Sequence, residues 1–195
     1  IPETRNKNSK SIDLLYLGAV TEDRGIFIII EVVKKLVKKY PNLKVEIVGH
    51  VPSSIKAHIE DEIRKENLND VIYLRGFIDY NAASDYIKRS RIGLCLLFPT
   101  KNYLNSYPTK LFDYMTCGIP IVGSNFGQLA RIIKEANCGA TVDPYDIQDI
   151  VRVLDSLLSK NDYCSDLGAN GWEYIKDTYT WQSQENKLLE LYSNL

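Results

Sequence analysis

Lys110 and Asp113 are placed where folding alone gives them little to do. They lie in the stretch from Phe98 to Gly123, FPTKNYLNSYPTKLFDYMTCGIPIVG. An apolar run from Ile92 to Phe98 reads as a buried parallel strand. A polar loop follows from Pro99 to Tyr107, and a helix from Pro108 to Gly118. Pro108 suits the first helical position, because its fixed φ is helical and its missing N–H has no partner there anyway. The residue before a proline avoids the helical region, which puts the boundary at Tyr107. Gly118 supplies a left-handed stop. Lys110 therefore falls in the first helical turn, where the helix dipole disfavours a cation and free amides attract an anion. A phosphate on the amides of Thr109, Lys110 and Leu111 resolves that conflict. Asp113, three residues on, could accept hydrogen bonds from ribose hydroxyls. The alternative is a local Lys110–Asp113 ion pair on a solvated face, and local pattern weighs the two evenly.

Arg24 repeats the anomaly, since it too puts a cation at a helix start. Its plain reading is a loop arginine paired with Glu22 or Asp23, two acids better read as dipole partners of the helix than as catalytic groups. Asn105 and Gly76 read locally as a loop residue and a turn glycine. His50 and His58 have no metal-ligand spacing. Cys95, Cys117, Cys138 and Cys164 show no C-x-x-C spacing; Cys95 and Cys117 fall in predicted core elements as thiols, which fits cytosolic residence. Gly18 with Gly25 is not a dinucleotide fingerprint, and neither a Walker A run nor a G-x-S-x-G elbow occurs.

The elements that must position these residues alternate. Strands are expected at Ile12–Leu17, Leu43–Val48, Val71–Leu74, Ile92–Phe98, Ile119–Val122 and Gly139–Val142. Helices are expected at Ile26–Tyr40, Ser53–Asn67, Tyr80–Arg89, Pro108–Gly118, Phe126–Ala136, Ile147–Ser159, Asn161–Thr178 and Thr180–Leu195. This is an α/β pattern: a doubly wound, six-stranded parallel sheet with helices on both faces. Ligands of such sheets bind outside the carboxyl ends of the strands at the switch point. The loops Gly18–Gly25, Gly49–Pro52, Arg75–Asp79, Pro99–Tyr107 and Gly123–Gly127 should meet on one rim, which makes Arg24 and Lys110 candidate partners for one anion. Lys34, Lys35, Lys38 and Lys39 crowd one helix; a sheet-covering helix with a solvated lysine face explains them better than a membrane-surface helix does.

The chain has 195 residues, within the size of one domain. Its net charge of -1 makes no general case for nucleic acid. No run approaches the roughly 18 apolar residues of a membrane span, and no signal peptide is visible. The polar opening from Ile1 to Ser11 reads as a linker, and the chain as a piece of a longer one.

Taken in order, the motifs resemble the C-terminal half of group 1 glycosyltransferases with the GT-B fold, over nearly the whole chain. Gly18 to Gly25 resembles that family's G-R-x-x-x-x-K-G loop, Val45 to Gly49 its strand ending in V-G, and Val71 to Gly76 its V-x-F-x-G segment. The central stretch resembles the E-x7-E region followed by A-M-A-x-G-x-P-V, here Tyr114 to Ile121. Asp143-Pro144 and Thr180-Trp181 match the family's later turn and ending. The departures are specific. The loop arginine falls on Ala19 and the lysine on Arg24; the two glutamates fall on Asn105 and Asp113; the acid after the Gly127 loop falls near Ala130. Tyr-Pro-Thr-Lys-Leu-Phe resembles a variant of polysaccharide-type members, in which Lys110 would replace the lost cation.

The resemblance implies the Rossmann-like nucleotide-sugar-binding half, residues 12–195, of a retaining, metal-independent transferase in polysaccharide or cell-envelope glycan synthesis. It implies no cofactor. The donor would be a nucleoside-diphosphate sugar of UDP or GDP type, with Arg24, Thr109, Lys110 and Leu111 at the diphosphate and Asp113 at the ribose. Gly76, Phe77 and Ile78 would meet the base, and Asn105 the donor sugar. The catalytic residues are left unassigned, partly in an N-terminal acceptor domain outside this chain. That domain would bring a glycan or lipid-linked acceptor and peripheral association with the inner face of the membrane; isolated, the C-terminal half would be inactive. No nucleic acid is implied. Two other readings stay open: a GT-B-fold sugar-nucleotide epimerase and a non-catalytic nucleotide-sugar-binding module. A flavodoxin-like receiver fits less well, because the first strand ends without an acidic cluster.

Overall fold

Leu14 and Tyr16 point to one side of the first strand and Leu15 and Leu17 to the other, and both sides are covered. The computed structural model of the chain describes residues 10–193. Among these, six strands form one parallel sheet: β1 (Ile12–Leu17), β2 (Val45–Val48), β3 (Ile72–Gly76), β4 (Ser90–Cys95), β5 (Ile121–Ser124) and β6 (Gly139–Val142). Their order is β3-β2-β1-β4-β5-β6. Leu14 pairs with Val45 on one side and Ile92 on the other, so the chain reverses its direction of winding between β1 and β4. This is the doubly wound sheet the sequence predicts, and its switch point lies at that junction.

The helices are α1 (Ile26–Leu36), α2 (Ser53–Lys65), α3 (Tyr80–Arg89), α4 (Lys101–Leu104), α5 (Thr109–Thr116), α6 (Gly127–Glu135), α7 (Ile147–Leu158), α8 (Asn161–Thr178) and α9 (Trp181–Ser193). Helices α1, α2 and α7 bury one face of the sheet, with Ile29, Val33, Ile59, Ile150 and Leu154 packed on Leu14, Ile47 and Ile92. Leu111, Tyr114, Met115, Leu129 and Ile132 of α5 and α6 bury the other, against Leu15, Cys95 and Ile121. Each such side chain contributes roughly 1.5–3 kcal/mol by leaving water.

Boundaries move for local reasons. Helix α1 ends at Leu36, not Tyr40, because Pro41 forbids helical geometry just before it; Tyr40 N–H still reaches Leu36 O at 2.9 Å. Strand β4 begins at Ser90, whose hydroxyl bonds Tyr86 O at 2.7 Å and so tolerates burial. It ends at Cys95, short of the expected Phe98. Strand β5 starts at Ile121 because Ile119 N–H still bonds Tyr114 O, at 3.1 Å, in the exit of α5. The expected loop Pro99–Tyr107 contains α4, a single turn. Pro108 is the cap of α5 and not its first residue. The membrane-surface reading of α1 fails: its apolar face lies on the sheet, Lys34 reaches Glu66 at 2.7 Å, and Lys39 reaches Asp155 at 2.6 Å. No described helix is long and apolar enough to cross a membrane. The linker reading of residues 1–11 falls almost wholly outside the described residues, as do the last two positions of the final helix.

Candidate functional site

The loops at the carboxyl ends of the strands are tied to one another by backbone bonds. Gly18 N–H reaches Val48 O at 2.8 Å, Val20 N–H reaches His50 O at 2.9 Å, Gly49 N–H reaches Gly76 O at 2.8 Å, and Phe98 N–H reaches Asp23 O at 2.9 Å. The rim expected from the strand pattern is therefore continuous across the switch point.

Arg24 is brought there by a 3-10 turn, Glu22–Arg24, that closes on Gly25. Gly25 has φ +81°, and a Cβ on it would lie 2.2 Å from Leu96 O, so only glycine lets the chain turn into α1 here. Arg24 donates from Nε to the Tyr103 hydroxyl at 3.0 Å, and its guanidinium stands 5.6 Å from the centroid of the same ring. Burial opposes its charge, but that hydrogen bond and the nearby Tyr103, Tyr16 and Asp23 raise its pKa overall. Its expected pairing with Glu22 or Asp23 does not form among the described residues; Asp23 instead accepts from the Thr21 hydroxyl.

Lys110 arrives from the opposite side, at the start of α5. Only 5% of it is exposed. Its ammonium lies 3.7 Å from the centre of the Tyr16 ring and has no hydrogen-bond partner. A Cβ placed on Gly18 would stand 3.6 Å from Lys110 Nζ and 3.7 Å from Arg24 Nη1, so both cations converge on that glycine. The local Lys110–Asp113 ion pair does not form: the Lys110 ammonium lies beside Gly18 and the Tyr16 ring, and Asp113 is half-buried. Desolvation, with Arg24 adding to it, lowers the Lys110 pKa to about 8. Desolvation alone raises the Asp113 carboxyl above its usual range. At the head of α5, Leu111 N–H bonds Pro108 O at 3.0 Å, so of the three amides expected to meet an anion that of Leu111 is already occupied.

The remaining candidates are spread along the rim. Gly76 takes φ +70° with open space around it, Phe77 is 80% exposed, and Ile78 packs against the α5 side of the core. A cleft of about 340 Å³ lined by His50, Val51, Arg75, Gly76 and Phe77 opens beside them. Asn105 is exposed at the end of α4. Ala19 offers its carbonyl, not a cation: it accepts from the Tyr16 hydroxyl at 2.5 Å. Two participants escape sequence reasoning, Tyr16 and Tyr103. Tyr16 is the one aromatic in strand β1, two residues before the Gly18 turn, and that is the signal that could have marked it.

The family model of glycosyl transferases group 1 matches residues 1–174. The chain belongs to the group 1 glycosyltransferases. The 2-deoxystreptamine N-acetyl-D-glucosaminyltransferase of Niallia circulans is 22% identical over 181 residues, 93% of this chain and 45% of that protein. The chain thus spans about half the length of the curated relative it matches. The C-terminal domain of a group 1 glycosyl transferase from Francisella tularensis superposes with a TM-score of 0.79 at 20% identity, covering 92% of this chain and 95% of that one. The Anabaena protein HepE, solved in complex with UDP, superposes with a TM-score of 0.81 at 13% identity over 95% of this chain and 50% of that one. This glycosyltransferase domain therefore has the Rossmann-like fold of one GT-B half.

Proposed function

We propose that this chain is the donor-binding half of a retaining, metal-independent glycosyltransferase, and that a nucleoside-diphosphate sugar lies across the carboxyl ends of β1 and β4. The observation that carries this reading is Lys110: a buried ammonium with no hydrogen-bond partner, beside a second cation, at the mouth of the switch point. Burying a charge without a counter-charge is costly, and an anion bound there removes the cost.

In this reading the diphosphate rests on Lys110, Arg24 and the first-turn amides of Thr109 and Lys110, with buried Leu111 beside them. Asp113 holds the ribose. The base lies on the backbone of Gly76, Phe77 and Ile78, and Asn105 faces the sugar. Cations and helix amides stabilise the leaving diphosphate, a preorganised electrostatic role. The UDP bound by HepE supports a uridine donor over a guanosine one. The acceptor, a glycan or lipid carrier of cell-envelope or polysaccharide synthesis, and part of the catalytic machinery belong to an N-terminal half, which also provides any contact with the inner face of the membrane. Helix α9 exposes Trp181, Leu189 and Leu191, a surface this reading gives to the same half.

The test is UDP affinity in Lys110→Ala and Asp113→Ala. Each should bind about 10-fold or more weakly, since each loses a charge-assisted contact. Unchanged affinity in both variants overturns the site. A non-catalytic binding module is favoured by Asn105, which cannot carry negative charge, and Ala19, which removes a cation; a full-length parent that binds the donor and never transfers would support it.

A further inference from the structure

Among the described residues no carboxylate pairs with Lys110, and its ammonium lies against an aromatic ring. From the contacts around it we infer that Tyr16 is a positioning residue: its ring face keeps the Lys110 ammonium charged and aimed at Gly18 before any anion arrives. The inference rests on the donor-site reading above.

The geometry is specific. The ammonium stands 3.7 Å from the ring centroid, within the range in which an aromatic face attracts a cation. Tyr16 is fully buried, so the attraction is little screened by water. Its hydroxyl is fixed by the bond to Ala19 O, which ties the ring to the turn carrying Gly18. Gly18 itself leaves room: a Cβ there would touch Lys110 Cε at 3.4 Å. The other groups facing Lys110 do not hold it. Arg24, from the 3-10 turn, repels it. Cys95, from β4, is a thiol whose pKa burial pushes up to about 11, so it stays neutral. Asp23 and Tyr103 act on Tyr16 and Arg24, with no ion pair to Lys110 among the described residues. Cys95 favours the Lys110 charge only as a thiolate, so with that thiol protonated the contact that favours the charged form is the Tyr16 ring.

The family motif asks for an arginine at the position of Ala19. In this chain the cation comes instead from α5, and the aromatic residue in β1 gives it a seat. The chemistry recognised is that of a diphosphate, and the role of Tyr16 is to have the second cation in place.

The experiment has two readouts. Lysine 13Cε and 15Nζ signals, assigned with Lys110→Met, give the Lys110 titration in the free protein; calorimetry gives UDP affinity at pH 6.5 and 9. In Tyr16→Leu the Lys110 midpoint should fall by about one pH unit, and the loss of UDP affinity between the two pH values should grow. In Tyr16→Phe, which keeps the ring, both should stay near wild type. If Tyr16→Leu does not fold, pentafluorophenylalanine at position 16 reverses the ring's charge distribution at similar shape and should lower the midpoint likewise. An unmoved midpoint in the folded variant overturns the role of Tyr16, whatever the nucleotide does. A midpoint that moves in a protein that never binds UDP keeps the role of Tyr16 and overturns the donor-site reading instead.

Discussion

An ammonium buried at the mouth of a parallel sheet gives up its proton more readily than one in water, unless a counter-charge reaches it. Lys110 is in that position, and its protonation has opposite consequences for folding and for binding. Its pKa is about 8 in the folded chain and near the ordinary lysine value when unfolded. Between those values the unfolded chain holds the extra proton, so stability should rise with pH through that window, by roughly 3 kcal/mol at most. Lys110→Met should lack that rise; denaturant melts of both proteins from pH 7.5 to 10.5 measure the difference, and parallel curves would contradict it. Diphosphate binding wants the charged form and should weaken through the same window. Asp113 is also half-buried, and its carboxyl is raised by desolvation. Asp113→Asn should weaken nucleotide binding less than Asp113→Ala, because an amide oxygen still accepts from a ribose hydroxyl; comparable losses would argue that the charge itself is what the site uses. Lys110 and Arg24 were legible in the sequence because each breaks the helix-dipole rule. That they share one rim follows from strand alternation; that both stand beside Gly18 is seen only in the structure. The Tyr16 ring was not legible, since a tyrosine in a strand reads first as core.

At the scale of elements, the turn from the 3-10 segment into α1 decides where Arg24 stands. Gly25→Ala meets both a positive φ and a backbone oxygen 2.2 Å from the new Cβ. It should cost about 2–4 kcal/mol in stability and weaken nucleotide binding as well, because Arg24 directly precedes it. A thermal melt and a titration on the same sample check this, and wild-type values in both would contradict it. Strand alternation, helix existence and the doubly wound parallel class implied by them could be read from hydrophobic period; the strand order could not. Nor could the edges. Helix α4, Lys101–Leu104, is too short to show a period. Ser90 and Arg91 look too polar to begin a buried strand, yet the first hydroxyl is bonded to Tyr86 O and the guanidinium of the second reaches Asp13 at 3.0 Å and Leu158 O at 2.7 Å. The partners of Arg91 are distant in sequence, and local pattern carries no trace of them.

At the scale of the whole molecule, family membership and fold rest on nearly the full chain, and the chain spans about half the length of the Niallia circulans relative; the proposed reading gives the activity to a longer protein. The reading accordingly expects no sugar transfer from this chain by itself, even with donor and acceptor supplied; substantial turnover in that assay would show that the catalytic groups lie within these residues. The most direct measurement of the central claim is a calorimetric titration of this chain with UDP, GDP and ADP, beside Lys110→Ala. The account predicts saturable one-to-one binding of UDP, weaker binding of the other two, and loss of the UDP signal in the variant. Equal UDP binding by wild type and Lys110→Ala would contradict it.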